Sequence, residues 1–130
     1  MTKKRSRMDG SDPLRTAASL LGASGVALGA FGAHALKSRL AAKPGADTNW
    51  RTAVTYQLLH AVALLSVSNS PGSGHPQHDG PTRGMMSGGR LIFLGTALFS
   101  GSIYLLTLDI GPKTLLGPTT PVGGLMMIGG

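Results

Sequence analysis

Three long stretches without a charged residue constrain this chain more than any other feature. Residues 16–36 (TAASLLGASGVALGAFGAHAL), 52–68 (TAVTYQLLHAVALLSVS) and 91–108 (LIFLGTALFSGSIYLLTL) are 21, 17 and 18 residues long. At about 1.5 Å per residue the first makes a helix of roughly 31 Å, about one bilayer core, and the other two fall at the short end of the spanning range of about 17–25 residues. Charged residues make up only 13% of the 130, where an ordinary soluble domain has about 25%. Twenty Gly and six aromatics leave little side-chain area for a water-soluble core. The expected fold is all-α, an integral membrane helical bundle with three full spans. A fourth apolar stretch begins at Leu115 but is interrupted by Gly117, Pro118 and Pro121. Thr120 reads as its N-cap, with Pro121 at the first helical position. Only ten residues then remain, about 15 Å of helix, so the last segment is expected to be an incomplete span lacking a C-terminal piece, or a re-entrant one.

The charges lie outside these stretches. Lys3, Lys4, Arg5, Arg7 and Arg15 precede the first span, Lys37, Arg39, Lys43 and Arg51 lie between the first and second, Arg83 and Arg90 precede the third, and Lys113 follows it. Seven basic residues on the side of the N-terminus and second loop face five on the other, too small a margin for the positive-inside rule to set orientation. A net charge of +7 raises the question of nucleic acid. That reading fails, because the excess is spread over tails and loops on both sides and lacks the interleaved aromatics of a binding surface. The basic start, the apolar run and Ala33-His34-Ala35 resemble a secretory signal, but the run exceeds the usual core of about 7–15 residues. The first eight residues carry four basic groups and no acid, as a mitochondrial presequence would, while Asp9 and Asp12 speak against one. A plasma or inner membrane is the expected location, with a mitochondrial or other organelle membrane as the alternative.

The chain divides into a basic tail (residues 1–15) and a single transmembrane domain (16–130) containing a flexible loop at 69–90. That loop has six Gly and three Pro in 22 residues. His75 and His78 stand in it with Asp79, but a metal site needs a preformed geometry and none is expected here. With no Cys in the chain, a disulfide, a thiolate metal site and a cysteine nucleophile are all excluded.

A helical wheel of the first span gathers Ala18, Gly22, Gly25, Gly29 and Gly32 on one smooth face, where another backbone can approach closely. Ser19, Ala23, Ala27, Ala30 and His34 form a second small face. Leu20, Leu21, Leu28 and Phe31 gather on the remaining arc, assigned to lipid. Two small faces predict that this helix is the centre of the bundle.

Polar groups inside a membrane are candidates for function, because an unpaired one is expensive in hydrocarbon. These are His34, Tyr56, Gln57, His60 and Tyr104. Gln57 and His60 share a face at i, i+3, and the relative heights predict a hydrogen bond from His34 to Gln57 or Tyr56. In the third span Thr96, Ser100, Tyr104 and Thr107 lie on one arc, and Gly95 and Ser102 on another. Ser and Thr hydroxyls can bond their own helix at i−4, so they need no partner. Trp50 reads as an interfacial anchor, and Asp109 as an edge residue in water. No paired carboxylate, nucleophile-and-base set or phosphate-cradling motif is present, so no catalytic residue, metal or cofactor is assigned and an enzyme is not expected.

Four blocks carry a resemblance. They are GVALGAFGAHALK (25–37), WxxAxxYQxxHA (50–61), LFSGSIYL (98–105) and GPTTPVGG (117–124). In this order they resemble the small transmembrane protein 256 / YgdD-like family, a membrane domain of unknown function. The resemblance implies a multi-spanning protein, typically of four helices, in bacterial inner membranes or eukaryotic membranes, and implies no activity. The long second loop, the basic extension and the short final helix depart from that pattern. Two functions are expected of such a chain. One is a structural or interaction protein that meets the lipid bilayer and packs against itself, as a homo-oligomer, or against another membrane protein. The other is a small-solute or proton transporter acting as an oligomer, with Gln57, His60 and Tyr104 lining a polar route.

Overall fold

The computed structural model describes residues 13–69 and 88–130. Within them the chain is all-helical: α1 (Pro13–Ala33), α2 (Lys37–Ala41), α3 (Ala46–Ser68), α4 (Gly88–Thr107) and α5 (Lys113–Gly129). α1 and α4, of 21 and 20 residues, are long and apolar enough to cross a membrane. α3 is longer, at 23 residues, but its first two turns carry Asp47 and Arg51.

Both ends of the first span shift from the expected 16–36. Pro13 opens α1, a position where a missing N–H costs nothing, so the tail gives way to helix before Arg15. At the other end the Leu36 N–H reaches back to the Phe31 carbonyl (3.0 Å), and the chain turns into the short α2. His34 therefore lies in this turn rather than in the span. Gly88, Gly89 and Arg90, expected in the loop, form the first turn of α4. Residues 70–87, with His75, His78 and Asp79, lie outside the described residues.

The larger correction is α5. It begins at Lys113 rather than after Thr120 and runs through both Pro118 and Pro121, about 25 Å for 17 residues. Thr120 is no N-cap. Its hydroxyl points back to the Leu116 carbonyl (3.4 Å) and meets the Ser102 hydroxyl (2.6 Å). The prolines forfeit the N–H bonds to the Thr114 and Gly117 carbonyls. Those two residues and both prolines are exposed, so the lost bonds fall away from the face that packs.

α1 against α3, α3 against α4 and α4 against α5 all run antiparallel. Along the first pair, Gly22, Gly29 and Gly32 oppose Ala61, Val54 and Trp50. Along the last, Gly95 opposes Gly123 and Gly88 opposes Gly130. α3 and α4 are thus the helices with neighbours on two sides, and α1 is peripheral, contrary to the expectation from its two small faces. Its second face, with Ala23, Ala27 and Ala30, is exposed. Of its bulky arc, Leu20 and Phe31 are exposed, while Leu21 is buried with Ala18, Ala61, Leu64 and Ile92. Leu28 packs against a second cluster formed by Leu40, Ala46, Trp50, Ala53 and Tyr104.

The turn from α4 to α5 is closed by two backbone bonds. Ile110 N–H reaches the Leu105 carbonyl (2.9 Å) and Asp109 N–H the Leu106 carbonyl (3.3 Å), with Asp109 in the left-handed region at φ 57°. This is a Schellman C-cap with Asp where Gly is usual. Lys43 and Lys113 both pair with the Asp109 carboxylate. Arg39 donates to the Leu108 carbonyl (2.8 Å) and Lys43 to the Thr107 carbonyl (3.3 Å). Cations thus meet the electronegative end of α4, and α2 with its following turn is fastened across the bundle.

Candidate functional site

Between the two apolar clusters lies a polar layer. Gln57, one turn beyond Ala53 on α3, is 5% exposed. Its Nε2 donates to the Leu21 carbonyl (3.0 Å) and the Ser24 hydroxyl (2.8 Å) of α1. Its Oε1 accepts from the Tyr104 hydroxyl of α4 (2.9 Å). One side chain therefore joins three helices. Ser100 adds a fourth link by donating to the Ala53 carbonyl (2.9 Å). Trp50 adds a fifth through Nε1 to the Leu28 carbonyl (3.0 Å), with its ring tilted onto Tyr104 at 4.6 Å. Among the described residues, no buried side-chain nitrogen or oxygen lacks a partner. A complete network of this kind rigidifies a core, whereas an incomplete one penalises it.

The structure separates the sequence candidates. Gln57 and Tyr104 come together. His34, exposed in its turn, does not reach them, and the expected His34 bond to Gln57 or Tyr56 is absent. The register explains this: α1 ends at Ala33, and Gln57 lies opposite Gly25, more than two turns below. His60 is directed elsewhere. Its Nδ1 lies 2.8 Å from the Tyr56 carbonyl, and its ring stacks near Tyr56, which packs on Phe99. A carbonyl only accepts, so Nδ1 is the donor in this bond. Gln57 and Tyr104 spend their polar groups on each other and on α1, while His60 lies on another side of α3. The three do not line one route within a single copy. Trp50, read as an interfacial anchor, is instead buried, held by its hydrogen bond and covered by Leu40 and Ala46.

All four candidate packing glycines face α3, at different clearances. A Cβ on Gly22 would sit 3.8 Å from Ala61 Cβ, an ordinary contact, and on Gly29 3.3 Å from Val54 Cγ1. On Gly25 it would come within 2.8 Å of the Leu58 methyl, and on Gly32 it would overlap the Trp50 indole. A second glycine contact lies between α4 and α5. A Cβ on Gly95 would lie 2.8 Å from the Gly123 carbonyl oxygen, and one on Gly123 2.5 Å from the Phe99 nitrogen. There the neighbours are backbone. Gly95 and Ser102, grouped on one arc in the sequence, form the α4 side of this seam. The α5 side is formed by Thr120, Gly123 and Met127. Of the hydroxyls, Thr96 and Thr107 bond their own helix at i−4, whereas Ser100 and Ser102 bond other helices.

Small hydroxyl residues share the interior while many large apolar side chains lie outside it. Thr96 is 0% exposed, while Val62, Leu125 and Ile128 are 65%, 70% and 85% exposed. This is the pattern that lipid selects, with small and hydrogen-bonding residues between helices and large apolar ones around them.

Residues 28–124 match the family described as Protein of unknown function (DUF423). The chain is 39% identical over 116 residues to a UPF0382 membrane protein of Schizosaccharomyces pombe, covering 87% of this chain and 90% of that one. It is 36% identical to the UPF0382 membrane protein YwdK of Bacillus subtilis, over 79% and 76% of the two chains. With the UPF0382 inner membrane protein YgdD of Escherichia coli it shares 34% identity, over 81% and 72%. No solved structure matches. With two spanning-length apolar helices, large apolar side chains on the outside and relatives that are membrane proteins, this chain is an integral membrane protein and belongs to the DUF423 (UPF0382) family.

Proposed function

We propose that the protein is a multi-pass bundle in which α1, α3, α4 and α5 all span the membrane, and that its role is structural or interactive rather than catalytic. The observation that carries this is the Gln57 layer. Three helices are tied at mid-height by one buried amide with all its bonds satisfied internally, leaving no polar group there for a substrate. Antiparallel pairing supports the topology. The α2 turn and the α4–α5 turn are joined by the Lys43 and Asp109 pair, so they share one side, and Leu14 meets Gly89 at the other. The exposed large apolar side chains then meet lipid or another membrane protein.

The chain has no Cys, which makes single-cysteine labelling clean. Thr48→Cys and Gly111→Cys are expected to react with an impermeant maleimide from one side of sealed vesicles and Asn69→Cys from the other, with Val62→Cys unreactive. Labelling of positions 48 and 69 from the same side would overturn the topology.

A further inference from the structure

Along the outer face of the α1–α3 seam, two hollows lie one beyond the other. The first, about 350 Å³, is lined by Gly29, Gly32, Val54 and Thr55, with Asp47 and Arg51 at its mouth. The second, about 300 Å³, is apolar and lined by Gly22, Val26, Leu58, Ala61, Val62 and Leu65. Both exist because the glycines that admit α3 present no side chain to fill the groove beside it. Around the mouth, Thr48, Thr52 and Tyr56 border a further space of about 460 Å³ on the exposed side of Arg51.

Length and charge identify an occupant. Arg51 and Leu65 are fourteen residues apart on α3, about 21 Å, and one leaflet with its headgroup region is about 20–22 Å thick. Among the described residues, this end of the bundle carries Lys37, Arg39, Lys43, Arg51 and Lys113 against Asp47 and Asp109. Arg39, Lys43 and Lys113 are engaged at the α4 terminus. Arg51 is mostly exposed and meets Asp47 through Nε (2.9 Å), which leaves its two terminal amino groups for a phosphate, the bidentate pairing guanidinium favours.

We propose that this seam binds one anionic phospholipid of the leaflet on the α2 side, with an acyl chain in the glycine-lined groove and the phosphate on Arg51. The proposal rests on the spanning bundle described above. The test uses the full chain, purified in mild detergent, with phosphatidylglycerol or phosphatidylcholine of identical acyl chains, read by native mass spectrometry. Retention of phosphatidylglycerol is expected to be about five-fold higher, the scale of one basic side chain at a lipid surface. Arg51→Gln removes this preference and Arg51→Lys keeps most of it. Lys113→Gln, on the same side but away from the groove, leaves it intact. Thr55→Trp, on the exposed rim, lowers retention of both lipids. Equal retention of the two lipids by the unaltered chain would overturn the proposal. So would equal losses from Arg51→Gln and Lys113→Gln, which indicate a diffuse field, and so would dimers in place of lipid adducts, which put a second copy in the seam. Helicity by circular dichroism and the cysteine-labelling pattern report separately on the bundle, so failure of the lipid site and failure of the topology are distinguishable.

Discussion

The four glycines of α1 provide the sharpest test of the packing, because adding one methyl group at each should give four different results. Gly→Ala within a helix is worth about 0.5–1 kcal/mol in favour of Ala when nothing is in the way. At Gly22 the new Cβ meets Ala61 at 3.8 Å, so Gly22→Ala is expected to be neutral or to stabilise by up to about 1 kcal/mol. At Gly29 the 3.3 Å approach to Val54 roughly cancels the gain, and at Gly25 the obstacle is the end of the half-buried Leu58 side chain, which can rotate away. Gly32 is different. Trp50 is large, buried against Tyr104 and held by its bond to Leu28, so it has nowhere to go. Overpacking costs about 1–3 kcal/mol and the displaced indole bond about 0.6, up to 1.7, giving a net loss of roughly 1–4 kcal/mol after the helix gain. Gly123→Ala, which drives Cβ into the α4 backbone, should cost at least as much as Gly32→Ala. Unfolding in mixed micelles with rising SDS, followed by circular dichroism and by fluorescence of the single Trp50, measures the series. If Gly32→Ala proved as stable as Gly22→Ala, the register that sets Gly32 against Trp50 and Gly22 against Ala61 would be wrong.

The polar layer and the α4 cap supply two further tests. Gln57→Leu removes three interhelical bonds at about 0.6 kcal/mol each and leaves the Tyr104 hydroxyl without its partner, so a loss of about 2–3 kcal/mol is expected. In a double-mutant cycle, Tyr104→Phe on that background should cost less than on the native one, and strict additivity would mean that the bond contributes nothing. Asp109 combines a left-handed backbone with two exposed ion pairs. Asp109→Gly relieves the first while losing the second and should change stability by less than about 1 kcal/mol, whereas Asp109→Val suffers both and should lose about 1–3 kcal/mol. Equal stability of the two variants would refute the C-cap assignment.

The Gly22, Gly25, Gly29 and Gly32 stripe is legible from spacing because a helix places i, i+3 and i+4 on one face whatever it packs against. Gln57 and Tyr104 are legible as polar groups in apolar runs, since such residues stand out by composition. Their pairing is not legible. It depends on the level at which α3 and α4 cross, which no pattern within either helix specifies. His34 shows the same limit: level ends put it near Gln57, but α1 stops three residues early when the Leu36 N–H closes on Phe31. The early start of α5 has a local cause. Pro118 and Pro121 remove two backbone bonds on the exposed side of α5, while its packed side, through Gly123, fits α4 closely.

By itself, the sequence determines that this chain is helical and belongs in a membrane, because length without charge is a property of each segment alone. It also marks the face through which α1 packs. Only the tertiary structure decided that α3 rather than α1 has neighbours on two sides, that Trp50 is core rather than anchor, and that Gln57 answers Tyr104 and α1 instead of His34. Each of those facts depends on the relative height of two helices. In lipid, where burial of apolar surface does not choose between partners, that height is set by a few close contacts and hydrogen bonds between residues distant in the chain.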